Sequence, residues 1–247
     1  MTELWLVDLD RAAPALEAIE CEVPRLAAAD QERARRARDR AQQARLLAAH
    51  AALRLILERL AGPHIRRRQF TRSAAGKPSL GEDSPAFSLS HAGGLALVGV
   101  TRAGAVGVDL EAARDIRLSP HRRDEVLAVG AGLAGMDRQR LAGDAATLQA
   151  WCRLEAFAKA RGSGISGLLG ALGLRDRGGR STPLAAIAAA AKALAREEQV
   201  LVADLRMPPR LHGAVAITEA ARLALPLRPR RFPTERRAIL RLLDTDT

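Results

Sequence analysis

Residues 106–111 read VGVDLE, and this stretch carries most of the information about the fold. An apolar side chain occupies every second position, which is the pattern of a β-strand with one buried face. The opposite face then carries Gly107, Asp109 and Glu111. A glycine lets a ligand approach the backbone, and two carboxylates on one face suit a hard cation such as Mg²⁺. A solvated strand end explains the same acidic pair, so this stretch alone predicts the strand and leaves the metal site open.

The sequence before this strand predicts a β-hairpin that leads into it. Residues 95–100, LALVGV, form a continuous apolar run, and the turn-like residues 101–104 separate this run from VGVDLE. The preceding FSLSHAGG at residues 87–94 alternates and then enters a glycine loop beside Ser90 and His91. Amides, a hydroxyl and a histidine in such a loop can hold a phosphate, although a single histidine after a strand is more often structural.

A helix is predicted at residues 145–161, where glycines end the helical pattern. Trp151, Glu155 and Lys159 are four residues apart on it, so they project from one side. A surface Glu–Lys pair has the same spacing, so the group does not define a site by itself. Lys77, in a Gly–Pro loop, is a further basic candidate.

The N-terminal part predicts a strand at residues 5–9 and one long helix at residues 30–60, with Asp30 as its N-cap and Gly62 and Pro63 as its stop. Alanines recur on one face of this helix at spacings of three and four. Arginines occupy the opposite face, and most of them are expected to be solvated: Arg33, Arg36, Arg40, Arg45 and Arg54. The C-terminal part predicts a helix at 183–198, strands at 200–205 and 214–217, and a basic tail at 227–243 that ends in a short helix.

The composition narrows the class of protein. Two cysteines in 247 residues do not form a disulfide framework, and no signal peptide or apolar stretch long enough to span a membrane is visible, so a cytoplasmic protein without membrane association is expected. The net charge of +11 is compatible with nucleic acid, an anionic membrane, a phosphorylated small molecule or an acidic protein partner. An Ala- and Arg-rich composition without functional meaning explains the charge equally well.

The motifs taken together, in their order along the chain, are far more specific than any one of them. GKP at 76–78, FSLSHAGG at 87–94, VGVDLE at 106–111 and WCRLEAFAKARGSG at 151–164 resemble the surfactin-synthetase-activating type of 4′-phosphopantetheinyl transferase. The resemblance implies an α+β fold of two similar α/β halves related by a pseudo-twofold axis, with the active site between them. It places the halves at residues 1–104 and 105–247, and a monomer that contains both halves would have a complete site.

The resemblance also implies a reaction. Such an enzyme transfers the 4′-phosphopantetheine group from coenzyme A to a serine of an apo acyl- or peptidyl-carrier protein, requires Mg²⁺ and releases adenosine 3′,5′-bisphosphate. By this resemblance Asp109, Glu111 and Glu155 hold Mg²⁺, with Asp109, Glu155 and Lys159 as the catalytic group. Coenzyme A would contact Arg45, Gly76, Lys77, Pro78, Ser90, His91 and Lys159, with Arg33 and Arg36 as helpers.

Two departures from the family pattern limit what the resemblance implies. Leu154 stands where a lysine often precedes the helix glutamate, and the stretch after Glu111 lacks an aromatic pair and a glutamate that are common there. A coenzyme A-binding relative without catalysis therefore stays an alternative. A basic nucleic-acid-binding protein is a second alternative, which the 2% content of aromatic residues disfavours because bases stack on aromatic rings. The carrier protein, the pathway and the tolerance of acyl-coenzyme A are left open.

Overall fold

The computed structural model describes residues 1–136, 142–174, 182–218 and 227–244. These residues form a mixed α+β structure. Its strands are β1 (Glu3–Asp8), β2 (Thr71–Arg72), β3 (Pro78–Ser79), β4 (Ala86–Ala92), β5 (Leu95–Thr101), β6 (Val106–Ala112), β7 (Val200–Asp204), β8 (Leu211–Thr218) and β9 (Arg230–Arg231). Its helices are α1 (Leu9–Glu22), α2 (Ala28–Arg35), α3 (Arg40–Ala61), α4 (Pro120–Leu133), α5 (Gly143–Arg161), α6 (Gly164–Ala171), α7 (Leu184–Glu197) and α8 (Arg236–Leu240), with a short 3₁₀ turn at Pro63–Ile65.

Two sheets form the framework of the molecule. The larger sheet has the order β4-β5-β1-β9, and the smaller one has the order β6-β8-β7. Helices α1 and α3 cover the larger sheet and share a hydrophobic core with it. Helices α5 and α7 pack on the smaller sheet, and α4 packs on these two helices, around a second core. The predicted helices at 145–161 and 183–198 and the strands near 200 and 214 are thereby confirmed to within a few residues.

The predicted hairpin between residues 95–100 and 106–111 is wrong. Strand β5 pairs with β4 and β1, whereas β6 pairs with β8. The reason is visible at Gly99, where an added Cβ would lie 2.7 Å from Cγ1 of Val108, so the two strands meet through side chains and not through a hydrogen-bonded edge. The Val108 N–H instead donates to Oγ of Ser88 over 3.0 Å, which joins the two sheets.

The long N-terminal helix divides into α2 and α3, and two expectations for it are wrong. Asp39, not Asp30, is the N-cap of α3, since its carboxylate accepts from the Gln42 N–H at 2.7 Å. Arg54, expected in solvent, is only 1% exposed because its Nε donates to the buried Asp30 carboxylate over 2.5 Å. The predicted stop at Gly62 is confirmed, with a φ of +90° that suits glycine.

The C-terminal tail returns to the larger sheet. Strand β9 runs parallel to β1, and Phe232 and Ile239 are buried in the same core as Trp5. The tail is therefore part of the layer that carries the N-terminus. A division of the chain at Gly104 stays a prediction.

Candidate functional site

Helix α5 lies directly on strand β6, and Gly107 is what permits this approach. A Cβ at Gly107 would lie 2.0 Å from the Ala156 carbonyl oxygen and 2.4 Å from the Ala160 nitrogen. Because no side chain separates the two backbones, the acidic face of β6 reaches the Glu155–Lys159 face of α5. The close contact at Gly107 therefore brings the functional side chains of β6 and α5 together.

Asp109 lies at the centre of the resulting cluster. The residue is 4% exposed, and its Oδ1 accepts hydrogen bonds from Ser90 Oγ at 2.8 Å and from Lys159 Nζ at 2.6 Å. Lys159 Nζ also donates to Ser90 Oγ at 3.3 Å. Three sequence-predicted residues, from β4, β6 and α5, therefore meet in one hydrogen-bonded group.

The second oxygen of Asp109 is unsatisfied. Oδ2 is buried and has no hydrogen-bond partner within the described ranges of the chain. Buried carboxylate oxygens are normally hydrogen-bonded or bound to a cation, so this atom is a candidate ligand position.

Glu155 and Glu111 lie within electrostatic range of Asp109. Burial raises the pKa of Glu155, Lys159 opposes that rise, and the negative charges of Asp109 and Glu111 add to it. Glu111 is partly exposed and lies 3.4 Å from an Arg114 nitrogen. Across the residues that the structure describes, no group of three or more His, Cys, Asp or Glu side chains is assembled as a metal site. Lys159 is the cation that faces Asp109 in this arrangement.

The donor set nevertheless fits a hard cation. Asp109, Glu111 and Glu155 would supply carboxylate oxygens, the type of ligand that Mg²⁺ prefers. The orphaned Oδ2 of Asp109 is a free ligand position. Burial is the main cause of the raised pKa of Glu155, and a divalent cation would offset the smaller contribution that the negative charges of Asp109 and Glu111 add to it.

The interpretation of the sequence missed Cys152, which is buried on α5 close to these carboxylates. Burial raises the pKa of its thiol, and the charges of Asp109 and Glu111 raise it further. A weak S–H interaction with Asp109 contributes as well, although it does not satisfy Oδ2. The thiol therefore stays protonated and unreactive.

Leu154, which departs from the family pattern, faces away from the site. It is 1% exposed and belongs to the second hydrophobic core, with Phe157 and Leu168. The residue supports the packing of α5 and is not among those that line the clefts described next.

A cleft of about 300 Å³ opens beside the Asp109 cluster. Residues from several elements line it: Arg33, Leu46, His50, Leu53, Phe70, Arg72, Ala75, Gly76, Lys77, Pro78, Phe87, Ser88, Leu89, His91, Ala158, Lys159, Gly162 and Gly164. The predicted ligand residues of the GKP loop, His91 and Lys159 therefore share one cavity. Burial lowers the pKa of His91, and the positive charges of His50 and Lys159 lower it further.

A second cleft, of about 370 Å³, adjoins the first and shares Leu46 and His91 with it. Arg45 lines this second cleft, and its guanidinium makes a two-fold contact with Asp10, at 2.7 Å from Nε and 2.9 Å from Nη2. This hydrogen bonding lowers the pKa of the Asp10 carboxyl. Sequence analysis gave no signal for Asp10, which precedes Arg45 by 35 positions.

The two helper arginines differ in position. Arg33 lines the main cleft. Arg36 contacts Glu32 at 3.3 Å on the exposed surface of α2 and lines neither of these two clefts.

Lys77 connects the GKP loop to the end of α5. Its Nζ donates to the Ala160 carbonyl over 2.7 Å, and a Cβ added at Gly162 would lie 3.1 Å from Lys77 Cδ. Burial lowers the pKa of Lys77 to about 8. Lys77 thereby caps a free carbonyl in the last turn of the helix that carries Lys159.

Lys77→Met gives a prediction about pH. The folded chain releases the Lys77 proton near pH 8, whereas the unfolded chain keeps it to about 10.5, so between these values the unfolded state binds more protons. The free energy of unfolding of the wild type should therefore rise with pH relative to that of Lys77→Met across this window. Urea unfolding of both proteins at about pH 7.5 and about pH 9.5 measures the difference. A difference that does not change with pH contradicts the prediction.

No protein-family model matches the chain. A curated protein of Synechocystis sp., named a putative 4′-phosphopantetheinyl transferase, is 32% identical to it over 173 residues, which cover 67% of this chain and 66% of the relative. The chain belongs to the 4′-phosphopantetheinyl transferase superfamily. The match spans just under two thirds of the relative's own length.

Membership of the phosphopantetheinyl transferase superfamily confirms the family that the ordered motifs indicated. The surfactin-synthetase-activating type stays a prediction. Within the described part of this superfamily member, no helix is long and apolar enough to cross a membrane.

Proposed function

We propose that this chain transfers the 4′-phosphopantetheine group of coenzyme A to a serine of an apo acyl- or peptidyl-carrier protein, with Mg²⁺. The observation that carries the proposal is the Ser90–Asp109–Lys159 group, with its orphaned carboxylate oxygen, at the edge of a cleft with basic walls. Superfamily membership supports the same activity.

The proposal extends to the architecture. We assign residues 1–104 and 105–247 to two similar α/β halves related by a pseudo-twofold axis. Two features support the assignment: the two sheets lie on either side of residue 104 in sequence, apart from β9, and each is covered by helices. The main cleft draws residues from both parts, since His91 comes from the first and Lys159 from the second.

In this mechanism Asp109, Glu111 and Glu155 would hold Mg²⁺, which supplies charge neutralisation on the diphosphate of coenzyme A. The serine hydroxyl of the carrier attacks the phosphorus attached to pantetheine. The bond from that phosphorus to the bridging oxygen breaks, and adenosine 3′,5′-bisphosphate leaves. Glu155, directly or through a water molecule, takes the serine proton, and its raised pKa makes its carboxylate a better proton acceptor.

The basic residues of the clefts hold and neutralise the phosphates. Lys159 reaches Asp109 and Ser90 in this structure, so it lies where it can offset the charge that develops on the leaving bisphosphate. Ser90 and His91 would line the phosphate pocket, and the GKP loop would lie along the adenosine. Arg45, fixed by Asp10, would contact the 3′-phosphate.

The net charge of +11 has a purpose in this proposal. Coenzyme A is polyanionic, and an acidic carrier would be steered toward a basic surface. Association with the carrier should then slow as salt is added, because ions screen charges beyond about 8–10 Å. An association rate that does not change with ionic strength would show that the basic surface does not steer the carrier.

The cellular setting is also part of the proposal. Both cysteines are free thiols, which suits the reducing cytoplasm. We infer a monomer, since one chain would supply every residue of the site.

The direct test incubates the protein with coenzyme A, Mg²⁺ and a panel of apo carrier proteins, and measures each carrier by mass spectrometry. One carrier should gain a single phosphopantetheine group, and a chelator should prevent the gain. Binding of coenzyme A without any modified carrier would instead identify a non-catalytic relative. Displacement of coenzyme A by DNA at moderate salt would favour a nucleic-acid-binding protein.

A further inference from the structure

A buried ionic group lies behind the wall of the main cleft, beyond the residues used above. Its members are Asp30 on α2 and His50 and Arg54 on α3, next to Phe70. Of these, His50 and Phe70 line the cleft directly. Through His50, the buried charge of Asp30 therefore lies next to the cleft.

Asp30 is held as an anion. Its Oδ2 accepts from Arg54 Nε at 2.5 Å and from the Ala27 N–H at 3.0 Å, while its Oδ1 lies 3.1 Å from Nδ1 of His50. Burial would raise the pKa of Asp30, but His50 and Arg54 outweigh burial and lower this pKa to about 2. The carboxylate thus carries its charge throughout the physiological pH range.

Arg54 fixes the position of Asp30. The guanidinium is stacked over Phe70 at 4.3 Å from the ring centroid, and its Nη1 and Nη2 atoms have no hydrogen-bond partner in the described ranges. A buried ion pair with unsatisfied nitrogens is costly, so its presence is poorly explained by stability alone. A more specific explanation is that Arg54 holds the Asp30 carboxylate in place directly behind His50, which lines the cleft.

His50 has the geometry of an oriented hydrogen-bond donor. Asp30 lies at Nδ1, as an ion pair that does not meet the geometry of a well-directed hydrogen bond. Nε2 is on the far side of the ring from Nδ1, so it is not engaged by Asp30. A carboxylate beside Nδ1 orients the ring and favours a proton on Nδ1, as in carboxylate–histidine pairs at metal sites. Contact with a phosphate then uses the doubly protonated ring, in which Nε2 also carries a donor hydrogen. The charged side chains that line the cleft with His50 are Arg33, Arg72, Lys77, His91 and Lys159.

We propose that His50 is a phosphate-binding residue of the main cleft, and that Asp30, held by Arg54, is its positioning residue. The ligand is a phosphate group of coenzyme A, so this inference rests on the proposed function. It adds a donor from α3 to the basic residues of the GKP loop, β4 and α5. It also explains why Arg54 is buried on a helix face where solvent exposure was predicted.

The first test measures coenzyme A binding by titration calorimetry, without carrier, for the wild type and His50→Asn. Asparagine keeps a polar group near Asp30 but removes Nε2. Loss of a charge-assisted hydrogen bond should weaken binding by about 10-fold to 100-fold. His50→Gln, whose amide reaches the Nε2 position, should recover part of the affinity. The matched control is His64→Asn, an exposed histidine outside the cleft, which should bind as the wild type does.

The second test is a double-mutant cycle with Asp30→Asn. If Asp30 acts through His50, this change should weaken binding in the wild type and have little further effect in His50→Asn. Should Asp30→Asn fail to fold, Asp30→Glu displaces the carboxylate while keeping its charge and takes its place. Fully additive effects would overturn the positioning role.

The outcomes separate this inference from the proposed function. Unchanged affinity in His50→Asn overturns the role of His50 even when the wild type modifies a carrier. A wild-type protein that does not bind coenzyme A overturns the proposed function, and this inference with it.

Discussion

Gly107→Ala is expected to reduce phosphopantetheine transfer by at least about 100-fold, because a displacement of about 1 Å at an active site has an effect of that size. The new Cβ would lie 2.0 Å from the Ala156 carbonyl oxygen, so α5 must move away from β6. That movement separates Lys159 and Glu155 from Asp109. Overpacking of this kind also lowers the free energy of unfolding by about 1–3 kcal/mol. Carrier mass analysis and urea unfolding measure the two effects.

Gly170→Ala is the matched control for this prediction. Gly170 lies on α6, and an added Cβ there has nothing within 4 Å. This variant should keep full activity, and its stability should be unchanged or rise by up to about 1 kcal/mol, because alanine favours helices over glycine. Equal activity in Gly107→Ala and Gly170→Ala would show that the close contact of α5 with β6 does not set the site.

Asp109→Asn is expected to reduce transfer by about 100-fold to 1,000-fold or more, the size observed when one preorganised electrostatic group is removed from an active site. Asparagine has nearly the same volume, so the core should be preserved. It removes the charge that faces Lys159 at 2.6 Å and the orphaned Oδ2 that we assign to Mg²⁺. Turnover at increasing Mg²⁺ concentrations, with the carrier detected by mass, is the measurement.

A second measurement on Asp109→Asn does not depend on turnover. Mg²⁺ should raise the thermal midpoint of the wild type, because a ligand that binds the folded state stabilises it, and should raise that of Asp109→Asn less. Asp83→Asn, an exposed aspartate in the loop before β4, is the control and should respond to Mg²⁺ as the wild type does. Wild-type turnover by Asp109→Asn would refute the catalytic assignment.

The site combines an acidic and a basic region whose charges lie close together. The carboxylates of Asp109, Glu111 and Glu155 come from β6 and α5. Burial raises the pKa of Glu155, and the negative charges of Asp109 and Glu111 add to that rise. In the cleft beside them, burial lowers the pKa of His91, and the positive charges of His50 and Lys159 lower it further. A diphosphate bound through a divalent cation would lie between these two regions and relieve both kinds of repulsion.

Local sequence determined much of this protein. The alternation in VGVDLE, the four-residue spacing of Trp151, Glu155 and Lys159, and the glycines after α5 were enough to predict a strand, a helix and the faces that carry the acids. These features depend on the periodicity of side chains along a helix or strand and on the backbone conformations that each residue favours. Both are determined by residues that are close together in the chain. The ordered motifs were also enough to indicate the superfamily that the curated relative supports.

Tertiary structure decided which of these elements meet. The sequence of residues 95–111 does not indicate that β5 and β6 belong to different sheets. The pairing of β6 depends on β8, which lies about 100 residues further along the chain. Arg54 was expected in solvent because a helix face looks polar from sequence, yet Asp30, 24 positions earlier, neutralises it inside the protein. The sequence also gave no indication that Asp10 contacts Arg45 or that Cys152 lies beside Asp109. Periodicity fixes the direction in which a side chain points along its own element, whereas the charge it meets there is set by the packing of distant elements.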